Sequence, residues 1–303
     1  MRCNPDAEHI LFTNDSKPIK YKNRDLKLLV EKFGVKVKML PFTKFRPPVK
    51  YSSLFTNAFY KFDVMQALGS ESNDAIILLD ADCVWSRPGK IAESDIDGGT
   101  ALLYDVHGEI DPDKKVDGMS RHDRAALYKV IHPDYSVSAP IHIGGEIVGG
   151  QARHFKLLSE QLLDSYQHIL QKFGDNPPHF ADGRKIFDGN ENLGSMVFNM
   201  NLVPWKDASE SIKRIWTGYA FENLDPEDLE IPIWHVPSEK LFGIPLLFKK
   251  VLNPSSDFWK TPLDKFNIYL GGFLRIPKRK LSIGVIRAWM TIFFRRINRG
   301  IKR

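Results

Sequence analysis

Apolar positions in the first eighty residues alternate between two periods. Residues 9–13, HILFT, form a short apolar run closed by the turn-forming pair Asn14-Asp15, which predicts a buried strand. Residues 24–33, RDLKLLVEKF, place Leu26, Leu29, Val30 and Phe33 at helical spacing, and Gly34 is positioned to end that helix. Residues 35–40, VKVKML, alternate apolar with basic, the mark of a strand with one face in water. A second helix is predicted over 54–68, LFTNAFYKFDVMQAL, ending at Gly69. Residues 75–79, AIILL, are apolar throughout, as expected of the most buried, central parallel strand, covered on both faces.

Strand, helix, strand, helix, strand predicts an α/β domain with a mostly parallel sheet flanked by helices. Further along, 101–104 read as a strand, 107–120 as a polar loop and 122–132 as a helix. The glycine-rich stretch 141–150, IHIGGEIVGG, precedes a long amphipathic helix over 151–173. Its stripe is Phe155, Leu158, Leu162, Tyr166, Ile169, Leu170 and Phe173, and Gly174 closes it. Residues 189–199, GNENLGSMVFN, open another short helix, and 231–236, IPIWHV, read as a strand ending in His235. We assign 1–250 to the α/β domain and 251–303 to a basic, apolar tail. Residues 2–6 read as the end of a helix, so the domain is expected to lack its first strand.

Composition narrows the class. A chain of 303 residues, 43% hydrophobic, can bury one large core or two modest ones. Its 12% aromatic content argues against disorder. Cys3 and Cys83 are expected to be reduced, and two thiols provide no zinc spacing. The opening residues lack the apolar core of a signal peptide. The net charge of +6 belongs to the tail: residues 271–303 hold ten Lys and Arg and no acid, leaving a negative body. That distribution excludes a nucleic-acid partner for the body. Residues 281–296 can form a helix with a wide apolar face and a basic face. Such a helix either lies on an anionic membrane surface or docks on the body with its basic groups in water. The first reading places the protein in the cytoplasm, peripheral to the cytoplasmic face of a membrane.

The candidate chemistry begins at Asp80-Ala81-Asp82, directly after AIILL. Residues i and i+2 of an extended chain point alike, so both carboxylates would emerge together at the lip of a buried strand. There they can bind a hard divalent ion, Mn²⁺ or Mg²⁺, which can neutralise a diphosphate leaving group. The plainer reading is a turn that ends a strand.

IILLDADCVW (76–85), the upstream helix FYKFDVMQAL (59–68), IHIGGEIVGG (141–150) and DGNENLGSMVFN (188–199) occur in an order and spacing that resembles glycosyltransferases of the GT-A fold. Within that group they are most similar to the glycogenin-like and blood-group-transferase-like retaining families, over roughly residues 9–240. The resemblance implies a Rossmann-like fold and transfer of a sugar from a nucleotide-diphosphate sugar, a UDP-sugar first, to a glycan or lipid-linked acceptor. It implies that Asp80 contacts the donor ribose and the metal, and that Asp82 ligates the metal directly. His235 falls where glycogenin-like enzymes have a third ligand, although WHVPSEKLFG departs from their His-x-x-Gly-x-x-Lys pattern. Lys240 would pair with the diphosphate, or be solvated.

Gly144, Gly145 and Glu146 either approach the donor or form a tight strand-to-helix connection. Glu191 and Asn192 would face the reacting sugar, Glu191 as a base or as a stabiliser of ring charge; the alternative is an acid favoured by a helix start. Lys61 would approach the nucleotide or point to solvent. Two other functions share these residues. One is a haloacid-dehalogenase-like phosphatase with Asp80 as nucleophile and Asp82 as acid/base, against which stands the absence of a downstream Gly-Asp-x-x-x-Asp cluster. The other is a non-catalytic sugar-nucleotide-binding or membrane scaffold protein.

Overall fold

The computed structural model describes residues 2–21, 23–51, 56–70, 75–88, 91, 96–106, 108, 111–115, 118–180, 183, 185–187, 189–218 and 221–278. The elements that position the candidate residues begin with β1 (His9–Thr13), α1 (Leu26–Glu31), β2 (Val35–Met39) and α2 (Tyr60–Leu68). They continue with β3 (Ile76–Leu79), β4 (Cys83–Trp85), β5 (Ala101–Asp105) and α3 (Arg121–Ile131). Next come β6 (Ile143–Gly150), α4 (Ala152–Phe173), α5 (Asn190–Phe198) and β7 (Trp205–Asp207). The last are β8 (Ile212–Arg214), β9 (Ile233–His235), α6 (Gly243–Val251) and α7 (Phe266–Leu274).

The chain divides into two compact units. The larger comprises Ala7–Leu79 and Lys90–Ser209; the smaller comprises Met1–Asp6, Asp80–Gly89 and Glu210–Arg303. Each has its own apolar core.

In the larger unit, β1 and β2 pair in parallel, with His9 opposite Val35. A separate four-stranded sheet has the order β3-β6-β5-β7. Here the expectation of a mostly parallel sheet fails: β6 runs antiparallel to both β3 and β5, and β7 is parallel to β5. The cause lies in what an apolar run can encode. AIILL records burial and not direction, and a strand covered on both faces reads alike in either orientation. Nor is β3 the most buried strand: its residues are half-buried, whereas Ala101, Leu102, Leu103 and Tyr104 of β5 are buried. The glycine-rich stretch is itself an interior strand, β6. Gly149 lies opposite Leu102, and a Cβ there would stand 3.0 Å from the Leu102 Cβ, so the missing side chain permits this close pairing.

The long helix α4 buries Phe155, Leu158, Leu162, Tyr166 and Ile169, the apolar stripe that its period predicts. Tyr166 meets the rings of Phe45 and Phe59 at 5.8 and 5.9 Å. Gly69 lets the end of α2 come close to α4: a Cβ there would lie 2.8 Å from the Lys156 Cα. Each buried aromatic or leucine of this layer contributes on the order of 1.5–3 kcal/mol.

In the smaller unit, the strand order is β8-β9-β4, with β8 parallel and β4 antiparallel to β9. Trp234 at the centre of β9 is fully buried among Ile215, Val236, Leu247, Phe266, Leu270 and Leu274. Phe266, Leu270 and Leu274, from the stretch assigned to the tail, are thus part of this core. Arg275 is also buried, and its Nε donates to Oε1 of the fully buried Glu239 at 2.8 Å. The predicted basic helix over 281–296 lies outside the described residues. Cys3 and Cys83 are both free thiols. No described helix is long and apolar enough to cross a membrane.

Candidate metal centre

The acidic motif does not continue the strand before it. Asp80 accepts a hydrogen bond from the Cys83 N–H at 3.0 Å, so Asp80-Ala81-Asp82 is a turn. Strand alternation therefore does not present the two carboxylates together, as was expected of them. Backbone pairing within the smaller unit sets the geometry instead. After the turn, β4 pairs with β9 so that Cys83 lies opposite His235, and the Val236 N–H donates to the Asp82 carbonyl at 3.1 Å. Trp234 anchors β9, and because successive strand residues alternate, His235 faces the other way.

The result is a cluster of Asp80, Asp82 and His235, each offering a ligand atom, with all three atoms within 4.8 Å of one another. His235 Nε2 lies 3.2 Å from Asp82 Oδ2 and 3.8 Å from Asp80 Oδ2. Lys240 Nζ lies 3.0 Å from the same Asp82 oxygen. Lys240 sits on the short helical turn Pro237–Leu241, and the neighbouring Glu239 fixes that turn. Glu239 accepts from the Gly243 N–H at 2.9 Å, the Thr217 hydroxyl and the Arg275 guanidinium.

Burial acts to raise the Asp82 pKa, but the hydrogen bonds and charges of His235 and Lys240 outweigh it and bring the carboxyl down to about 2. Asp82 is therefore an anion in the neutral range. Its Oδ2 is buried and faces the His235 and Lys240 nitrogens at ion-pair distance, so positive charge already gathers at that oxygen. A buried, ionised carboxylate oxygen suits a cation. The spacing suits one too: an octahedral ion with ligands at about 2.1 Å holds neighbouring ligands about 3 Å apart. The donor set and distances thus fit a divalent ion held by Asp80, Asp82 and His235.

The remaining expected residues belong to the larger unit. Lys61 on α2 donates to the Gly145 carbonyl, so it is engaged locally. Gly144 and Gly145 lie within β6, and Glu146 beside them has no solvent exposure. Lys61, Gly144, Gly145, Asn190 and Glu191 line a cavity of about 10 Å³, too small for a sugar ring. Glu191 and Asn192 occupy the first turn of α5.

Two partners of that turn escaped the sequence reading. Arg124 Nη1 donates to Asn192 Oδ1 at 2.7 Å, and Arg124 Nη2 lies 3.4 Å from His142 Nδ1. His142 Nε2 in turn stands 3.1 Å from Glu191 Oε2. Both Arg124 and His142 are buried. The signal was present for Arg124, which shares the inner face of α3 with Tyr128 and Ile131, a place where an unpaired charge is not tolerated.

No protein-family model matches the chain, and no curated protein matches it in sequence. Among solved structures, the galactosyltransferase LgtC in complex with donor and acceptor sugar analogs aligns over 93% of this chain and 90% of its own. The TM-score is 0.40 and the identity 11%. A likeness of that size establishes neither family nor activity.

Proposed function

We propose that the chain is a metal-dependent glycosyltransferase of the hexosyltransferase type, using a nucleoside-diphosphate sugar. The convergence of Asp80, Asp82 and His235 beside Lys240 supports this reading: three ligands for one divalent ion, with an exposed ammonium at the same point. A bound ion would supply neutralisation of the charge that develops on a departing diphosphate. Asp82 is held ionised and buried, ready to ligate without first losing a proton. His235 presents Nε2 towards both carboxylates. Lys240 is 60% exposed and can turn from Asp82 to a phosphate oxygen once a metal replaces it. The roles expected of Glu191 and Asn192 at the sugar, and of Lys61, Gly144, Gly145 and Glu146 at the donor, rest on the resemblance alone.

The acceptor in this proposal is a glycan or a lipid-linked glycan, and the basic segment beyond residue 278 keeps the enzyme at the cytoplasmic face of an anionic membrane. The test is a panel of nucleotide-sugars screened by thermal unfolding with and without Mn²⁺, since a ligand of the folded state raises the midpoint. A midpoint raised by UDP-sugars only when manganese is present supports the proposal. No shift with any nucleotide-sugar, or hydrolysis of simple phosphate esters, would refute it.

A further inference from the structure

The larger unit holds another group of ligand-bearing side chains, far along the chain from the acidic motif. His132 ends α3, taking its cap position. Asp164 and His168 stand one turn apart on α4, so both project from one helix face. The three ligand atoms lie within 4.8 Å of one another. The imidazole rings of His132 and His168 meet edge to face at 4.9 Å, and His168 Nδ1 is 3.3 Å from Asp164 Oδ2. His168 Nδ1 also lies 3.0 Å from the Asp164 carbonyl oxygen, so that nitrogen is engaged within the helix and Nε2 is the one open to a ligand.

We propose that His132, Asp164 and His168 form a binding site for a transition-metal ion of the zinc class, which ties the end of α3 to the middle of α4. Two imidazoles and one carboxylate are a donor set for zinc and its borderline neighbours and are unsuited to magnesium or calcium. The His168 and Asp164 side chains are 45% and 51% exposed, so a bound ion would be open to solution, with room for a water as a fourth ligand. His132 Nε2 lies 2.8 Å from Ser165 Oγ. His132 therefore ligates through its other nitrogen, with Ser165 fixing the ring, or releases the serine when metal enters.

The test uses the full chain stripped by chelator, in an Asp80→Asn/Asp82→Asn background that removes the other candidate centre. Zn²⁺ is titrated calorimetrically, and Co²⁺ serves as the optical probe. The expected result is one equivalent of zinc bound, a raised unfolding midpoint and the visible absorption of a tetrahedral cobalt site. His168→Asn and His132→Gln should each weaken zinc binding at least tenfold, with unchanged far-ultraviolet circular dichroism. Asp164→Asn, on an exposed position, is the control should a histidine variant misfold. If the background variant is unstable, the wild-type chain should lose one equivalent on His168→Asn. No zinc uptake, or uptake unaffected by these substitutions, overturns the proposal.

Discussion

His235 Nε2 stands 3.2 Å from the Asp82 carboxylate because the strand Cys83–Trp85 pairs antiparallel with Ile233–His235 and sets Cys83 opposite His235. The two side chains are brought together by backbone hydrogen bonds between segments remote in the chain. Asp82 Oδ2 is an oxygen that both His235 and Lys240 approach.

Asp82→Asn should abolish manganese-dependent binding of UDP and leave the fold intact. An amide oxygen is a neutral and weaker ligand than a carboxylate, and the loss of one of three protein ligands should cost at least tenfold in affinity. Calorimetric titration of the variant with UDP and Mn²⁺ measures this; an unchanged affinity contradicts the role given to Asp82.

Lys240→Ala should separate metal binding from nucleotide binding. Its ammonium occupies space at the Asp82 oxygen that a metal would take. Without it, Mn²⁺ alone should bind more tightly, by several-fold, while UDP in saturating Mn²⁺ should bind several-fold more weakly. Titration of free manganese by electron paramagnetic resonance gives the first quantity, and calorimetry gives the second. Parallel weakening of both would show that Lys240 only supports the turn.

Stability should fall as pH drops below neutrality, in part through His154. Its Nδ1 accepts the Gln151 N–H at 3.2 Å at the start of α4, and it is buried. Burial, and then the charge of Arg153, lower its pKa below the ordinary histidine value of 6.5. The unfolded chain therefore takes up a proton that the folded chain resists, and stability present above about pH 6.5 is lost as pH falls towards the lower folded value. The urea midpoint of the wild type should drop more between pH 7.5 and pH 5.5 than that of His154→Gln. Equal drops would remove His154 from the account.

Arg275→Ala should destabilise the smaller unit by about 3–5 kcal/mol, because it leaves the Glu239 carboxylate buried with its main charge partner gone. Adding Glu239→Gln to the variant should recover part of the loss. Denaturant unfolding of the single and double variants decides this, and additive losses would contradict the pairing.

Arg275 also dictates where a tail truncation should begin. Removing 279–303 spares the Glu239 pair, whereas removal from 275 does not. The shorter deletion should release the protein from vesicles containing anionic lipid without lowering its unfolding midpoint. Undiminished sedimentation with such vesicles would refute the membrane role.

Several features of the larger unit were legible in the chain because they depend on local period alone. The stripe Phe155, Leu158, Leu162, Tyr166 and Ile169 predicts the buried face of α4 without reference to anything outside the helix. The strands His9–Thr13 and Val35–Met39 form where the pattern places them, but His9–Thr13 is half-buried and not the buried strand expected, with Leu11 exposed. Strand direction was not legible, since Ile76–Leu79 would read the same beside a parallel or an antiparallel neighbour. The role of 141–150 as an interior strand was hidden by its glycines, which lower strand propensity yet are required where Leu102 packs against Gly149.

By itself the amino-acid sequence determined the ligand types: two acids one residue apart after an apolar run, a histidine closing a second apolar run, and a lysine five positions beyond it. Their meeting was decided only in the folded chain. Period and propensity act over a few residues, whereas the register that sets His235 against the Asp80–Asp82 turn is a hydrogen-bonding choice between distant strands. The same division separates Asp164 and His168, whose one-turn spacing is visible in sequence, from His132, which reaches them only through the packing of α3 against α4.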